Sequence, residues 1–214
     1  MRPFVAFALA IVFLLWAWAP RHVDLGGFDA DRMAEREAAM WRDEFAHHPV
    51  RQFARAYAGN RVEFGFSPLD SLWLALDATR AARAFQPTRS RAEAEVAAPL
   101  LERYYARLAS AASPPFAAQQ AARLELDGWQ ARRQASPPED YGRTIARIAA
   151  LVYGRDNCEI EDFGQKRAQA MALRDARGAT IGEDDWREIS ERLRLAYRAL
   201  REGLSSPAVA KRSS

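Results

Sequence analysis

The stretch EDDWREISERLRLAYRALREGL, Glu183 to Leu204, decides the fold. Trp186, Ile189, Leu193, Ala196, Tyr197, Leu200 and Leu204 recur at steps of three and four residues, the spacing of one helix face. Between them lie Glu188, Glu191, Arg192, Arg194, Arg198, Arg201 and Glu202, with the signs interleaved. A helix of this kind cannot bury its apolar stripe alone, so it needs other helices to pack against.

Working back towards the N-terminus, the same pattern recurs behind helix-start signals. Ser67-Pro68-Leu69-Asp70 precedes the stripe Leu69, Leu72, Trp73, Leu76. Ser90-Arg91-Ala92-Glu93 precedes Ala97, Leu101, Tyr105, Leu108, and Ser136-Pro137-Pro138-Glu139 precedes Tyr141, Ile145, Ile148, Val152. Ser113-Pro114-Pro115 opens a further helix running to about Arg133. A serine oxygen can accept from an otherwise unpaired N–H, and proline at the first helical position lacks only a donor that would have no partner. Helices are also expected over Ala30–Ala46, Val50–Ala58 and Glu159–Arg177, with stops at Gly59-Asn60, Gly154 and Gly178. Arg61 to Phe66 alternates polar and apolar, but a single strand has nothing to pair with, so an extended loop is expected.

The expectation is an all-α fold: an N-terminal hydrophobic anchor helix followed by an antiparallel bundle of about seven helices. Residues 1–20 are read as the anchor, 21–29 as a linker, 30–204 as the helical domain and 205–214 as a disordered tail. Composition agrees. Roughly a fifth of the residues are Ala, and all but two of the 31 basic residues are Arg; both are good helix formers. The single cysteine, Cys158, excludes an intrachain disulfide framework, and three histidines offer few imidazole ligands.

The anchor assignment rests on an uncharged run after Arg2. Its core, Phe4 to Ala19, is FVAFALAIVFLLWAWA, about 24 Å long as a helix. The bulky members are Phe4, Val5, Phe7, Leu9, Ile11, Val12, Phe13, Leu14, Leu15, Trp16 and Trp18, with the two tryptophans at the distal end, where a headgroup boundary suits them. Ala17-Trp18-Ala19 has the form of a signal-peptidase site, but Pro20 directly after it opposes cleavage, so an uncleaved signal-anchor is favoured. The expected location is a bacterial inner membrane, crossed once, with the C-terminal domain outside the cytoplasm. The bacterial assignment rests on the Ala and Arg excess with scarce Lys, as a GC-rich coding sequence would give.

Four residues depart from an ordinary core. Glu37 shares a face with Met33, Met40 and Trp41; Glu125 lies four residues before Trp129; Glu102 follows Leu101; Arg167 lies between Phe163 and Met171. A carboxylate on an apolar face must be paired or protonated. The expected arrangement is Glu37 or Glu125 paired with an arginine such as Arg167 or Arg133. The rival is a core carboxylate site of the di-metal type, which needs two Glu-x-x-His pairs. Only Glu44-Phe45-Ala46-His47 matches, so neither a metal nor a cofactor is expected. Phosphate-binding glycine loops, Cys-x-x-Cys, His-Glu-x-x-His and Gly-x-Ser-x-Gly are all missing, which weighs against catalysis.

The formal charge is only +3 and the pI about 9.3, set by arginines interspersed with acids. This gives little reason to expect nucleic acid as a partner. The leading expectation is a membrane-anchored interaction or scaffold protein whose partners are the lipid bilayer and a protein, or a second copy of itself. The alternatives are a helical-bundle enzyme or small-molecule- or metal-binding protein using Glu37, Glu102 or Glu125, and a weak nucleic-acid binder acting through Arg. Convergence of the carboxylates in one pocket would separate the second reading from the first.

Overall fold

Asp29 starts the first helix by accepting a hydrogen bond from Arg32 N at 2.9 Å. In the computed structural model, which describes residues 22–206, eight helices of 14 to 23 residues follow one another through short connections. They are α1 (Ala30–Phe45), α2 (Pro49–Val62), α3 (Pro68–Phe85), α5 (Ala98–Ala111), α6 (Ala118–Arg133), α7 (Pro138–Tyr153), α8 (Cys158–Arg177) and α9 (Glu183–Ser205). A single-turn helix, α4 (Arg91–Ala94), leads through a 3-10 turn into α5. Each long helix packs on its neighbour in sequence, and α9 returns to lie along α1. The array therefore closes on itself around a shared interior. The Phe4–Ala19 segment lies outside the described residues; among those that are described, no helix is long and apolar enough to cross a membrane.

The stripe of α9 is buried as its spacing requires, with Ile189, Leu193 and Leu200 at 1% exposure or less. It faces α1 and α8. Much of the remaining core is alanine: Ala81, Ala97, Ala121, Ala168, Ala170 and Ala196 are fully buried. A methyl side chain lets helix backbones approach closely.

Local start signals succeed where the serine immediately precedes the first turn. Ser67 accepts from Asp70 N at 3.0 Å, and Ser90 from Glu93 N at 3.1 Å. The other two expected caps do not form. The helix expected at Ser113 begins only at Ala118, with no side-chain cap. At Ser136-Pro137-Pro138 the residue before the helix is Pro137, which has no hydroxyl to offer, and Ser136 lies one position too early. Ser67→Ala should therefore cost about 1 kcal/mol in a denaturant titration, whereas Ser136→Ala should stay within about 0.5 kcal/mol. Equal effects would contradict this assignment of the caps.

Three further expectations change. The stop at Gly59-Asn60 is overridden and α2 continues to Val62. A Cβ on Gly59 would lie 2.8 Å from Arg36 Cδ. The bare glycine lets Arg36 run across α2 and reach the fully buried Glu63, Nη2 to Oε1, at 3.1 Å. The second change is in the segment read as a linker. Val23 N donates to Ala111 O at 2.9 Å, and Val23, Leu25 and Phe28 are buried. Phe28 stacks edge-on against Phe64 and Tyr197, with Tyr153 also adjacent. Lastly, Ser205 belongs to α9 rather than to the tail, and residues 207–214 lie outside the described part.

Candidate functional site

Glu37 projects from α1 on the side of the buried Ala34, Ala38 and Trp41. Arg167 follows Phe163 by one turn on α8, and Tyr197 follows Leu193 by one turn on α9. The helix stripes thus deliver all three to the interior. Arg167 Nε and Nη2 donate to Glu37 Oε1 at 3.0 and 2.6 Å, and the Tyr197 hydroxyl donates to Oε2 at 2.8 Å. The side chain of Glu37 is 12% exposed and that of Arg167 27%.

Burial opposes the charge on Arg167, but the Glu37 carboxylate, helped by Tyr197 and Glu125, outweighs it and holds the guanidinium protonated. Burial and then Glu37 push the Tyr197 phenol well above its usual range, so it remains a donor.

A second carboxylate network stands on α6. Glu125 Oε1 accepts from Trp129 Nε1 at 2.6 Å, one turn along the same helix. Its Oε2 accepts from the Tyr105 hydroxyl of α5 at 3.1 Å. Burial, with Glu125 beside it, raises Tyr105 well above the ordinary tyrosine value and Tyr104 to about 12. Both of Glu125's donors are neutral. This separates it from Glu37, whose charge is matched by a guanidinium.

The two networks meet at one cavity of about 310 Å³. Glu125 and Arg167 both line it, as do Tyr105, Trp129 and Tyr197. Side chains from α1, α3, α5, α6, α7, α8 and α9 complete the wall. The remaining surface is apolar or aromatic, including Leu101, Leu108, Ile148 and Phe163. Tyr104 and Tyr105, adjacent in sequence, both reach it, with ring centroids 5.1 Å apart. A few polar groups converging within an apolar wall are the ordinary make-up of a small-molecule site, and the volume falls at the lower end of the usual ~300–1,000 Å³.

Three of the four candidate residues are brought together: Glu37, Glu125 and Arg167. Glu102 is not among them. It is exposed, because the inward stripe of α5 runs through Leu101 and Tyr105, and one residue of helical rotation carries position 102 to solvent. Arg133 does not reach Glu125 either. It donates to the Phe85 and Gln86 carbonyls at 3.0 and 3.3 Å and stacks on the Phe85 ring. Glu37 takes Arg167 as its partner, while Glu125 takes its partners from aromatic hydrogen-bond donors.

Tyr105, Trp129 and Tyr197 read in the sequence as plain core aromatics. The available signal was their polar end: a buried Tyr O–H or Trp N–H finds an acceptor. For Trp129 that acceptor lies at the i−4 position.

Other chemistry stays apart from the cavity. His47 has φ 54° beyond the end of α1, so Glu44 and His47 do not share a helix face. Among the described residues no group of His, Cys, Asp and Glu side chains could hold a metal ion. Cys158 is exposed, and Glu159 beside it pushes the thiol up, away from the nucleophilic thiolate. The arginines bridge helices rather than gather: Arg123–Glu95, Arg132–Asp175 and Arg198–Asp31 pair at 2.8, 2.6 and 2.9 Å. No family model, characterised protein or solved structure matches the chain.

Proposed function

We propose that the chain is a small-molecule-binding helical domain held at a membrane by its N-terminal segment. The observation carrying the binding role is the convergence of Glu125 and the Glu37–Arg167–Tyr197 network on one cavity. Desolvating a carboxylate inside an apolar wall opposes folding unless something offsets it, and a scaffold has no need of such a site. The presence of these groups around an open volume favours recognition of a ligand over a purely interacting surface. Membrane attachment is supported by the uncharged Phe4–Ala19 run with Trp16 and Trp18 at its end.

The binding role is tested on the full chain in detergent micelles. A panel of small amphipathic compounds is screened by thermal shift and by intrinsic tryptophan fluorescence, to which Trp129 on the cavity wall contributes. Binding compounds should raise the melting temperature by mass action. Ala78→Phe, which places a ring into the cavity, should abolish those shifts while leaving the helical content unchanged. A panel without a single specific shift, or shifts that persist in Ala78→Phe, would overturn the reading. Attachment is tested separately by fusing a reporter active only outside the cytoplasm to Ser214. An inactive fusion beside an active cytoplasmic reporter would overturn the orientation.

A further inference from the structure

Resting on the reading of the cavity as a ligand site, we propose that its ligand is an organic cation: an amine or quaternary ammonium on a small apolar or aromatic body. The charge arrangement carries this. Of the residues lining the cavity, Glu125 and Arg167 are the charged ones. The Arg167 charge is taken up by Glu37, through Nε at 3.0 Å and Nη2 at 2.6 Å, and Glu37 is further held by Tyr197. Glu125 has only the neutral donors Tyr105 and Trp129. Arg167 also attracts Glu125 but is hydrogen-bonded to Glu37, so the three groups together leave the cavity one net negative charge.

The wall suits a cation in a second, independent way. Tyr104, Trp129, Tyr153 and Phe163 line the same volume, and aromatic rings attract cations. An anion would meet Glu125 and find Arg167 already engaged. A neutral ligand would strip water from Glu125 without replacing that interaction. A volume of about 310 Å³ accommodates a single ring bearing a compact ammonium group.

The experiment uses the full chain in micelles and three probes of similar shape: benzyltrimethylammonium, its uncharged carbon isostere and phenylacetate. Free concentrations are fixed by equilibrium dialysis against protein-free micelles. The cation should bind about tenfold more tightly than either of the others. Glu125→Gln keeps an acceptor for Trp129, lets the Tyr105 hydroxyl accept from the amide instead, and removes the charge. It should weaken the cation by about tenfold and should not weaken the isostere, which no longer strips water from a charged group. Should Glu125→Gln fail to fold by circular dichroism, the ranking of the three probes on the unaltered chain decides alone. A tie, or a win for the isostere or phenylacetate, overturns the cation assignment while the ligand reading stands. Binding of none of the three, in a chain that also gives no shift with the wider panel, overturns both.

Discussion

Replacing Glu37 by Gln should lower stability by about 3 kcal/mol, a fall of roughly 6–12 °C in melting temperature for a domain of this size. The cost comes less from the lost attraction than from what is left behind. Arg167 would remain charged, with Nε and Nη2 facing an amide that can no longer match its charge. Breaking a buried pair typically costs about 3–5 kcal/mol. The low end applies here, because the Arg167 side chain keeps 27% of its surface, towards the cavity.

Removing both partners together, as Glu37→Leu with Arg167→Leu, should recover much of the loss, since no unpaired charge then remains. Glu125→Gln should cost far less, about 1 kcal/mol, because its donors are neutral: the glutamine oxygen still accepts from Trp129, and the Tyr105 hydroxyl can turn to accept from the amide. Urea titrations of the four chains check this ordering. A Glu37→Gln curve superimposed on that of the unaltered chain would show that the pair does not matter to the fold.

Gly164→Ala should be comparably damaging despite being a helix-favouring change. On an isolated helix alanine gains about 1 kcal/mol over glycine. Here α8 crosses α7 so closely that a Cβ at 164 would sit 2.4 Å from Gly142 O and 2.8 Å from both Ala146 N and Ala146 Cβ. Two of those atoms are backbone and cannot rotate aside, so the helices must separate. Overpacking of this kind costs about 1–3 kcal/mol or more, and the upper end is expected.

Gly142→Ala provides the contrast. The three atoms nearest to its Cβ would all belong to the Gln165 side chain, which can swing away from its bond to Glu139 O. Its effect should be within about 1 kcal/mol. Thermal melts of the two variants, side by side, test the crossing directly. Because α8 carries Arg167 and Phe163 and α7 carries Tyr153, Gly164→Ala should also weaken whatever the cavity binds.

Features that rest on neighbouring residues are legible in the sequence. The stripe of α9, the caps at Ser67 and Ser90, and the ends at Gly154 and Gly178 depend on atoms within one or two turns. Gly154 takes φ 64°, a conformation its lack of a side chain permits. Ser136 shows how narrow that legibility is: one position of displacement leaves Pro137 where a cap was needed. Gly59 fails as a stop for a reason that local sequence does not carry. A side chain from α1, Arg36, needs the space over α2 to reach Glu63.

The site divides along the same line. Apolar spacing alone determined that the chain is helical and that Glu37, Glu125 and Arg167 sit on inward faces, because the helix period fixes which residues share a side. It also marked Phe4–Ala19 as distinct from the helical domain. It could not determine which inward groups meet. Glu37 and Arg167 are 130 residues apart, and Glu37 and Tyr197 160. Their pairing depends on α9 returning to α1 with α8 beside it. Only the tertiary structure made that decision, and with it left Glu125 to neutral donors on the wall of a shared cavity. Periodicity orients a side chain about its own helix axis; the partner it meets is set by how the other helices pack.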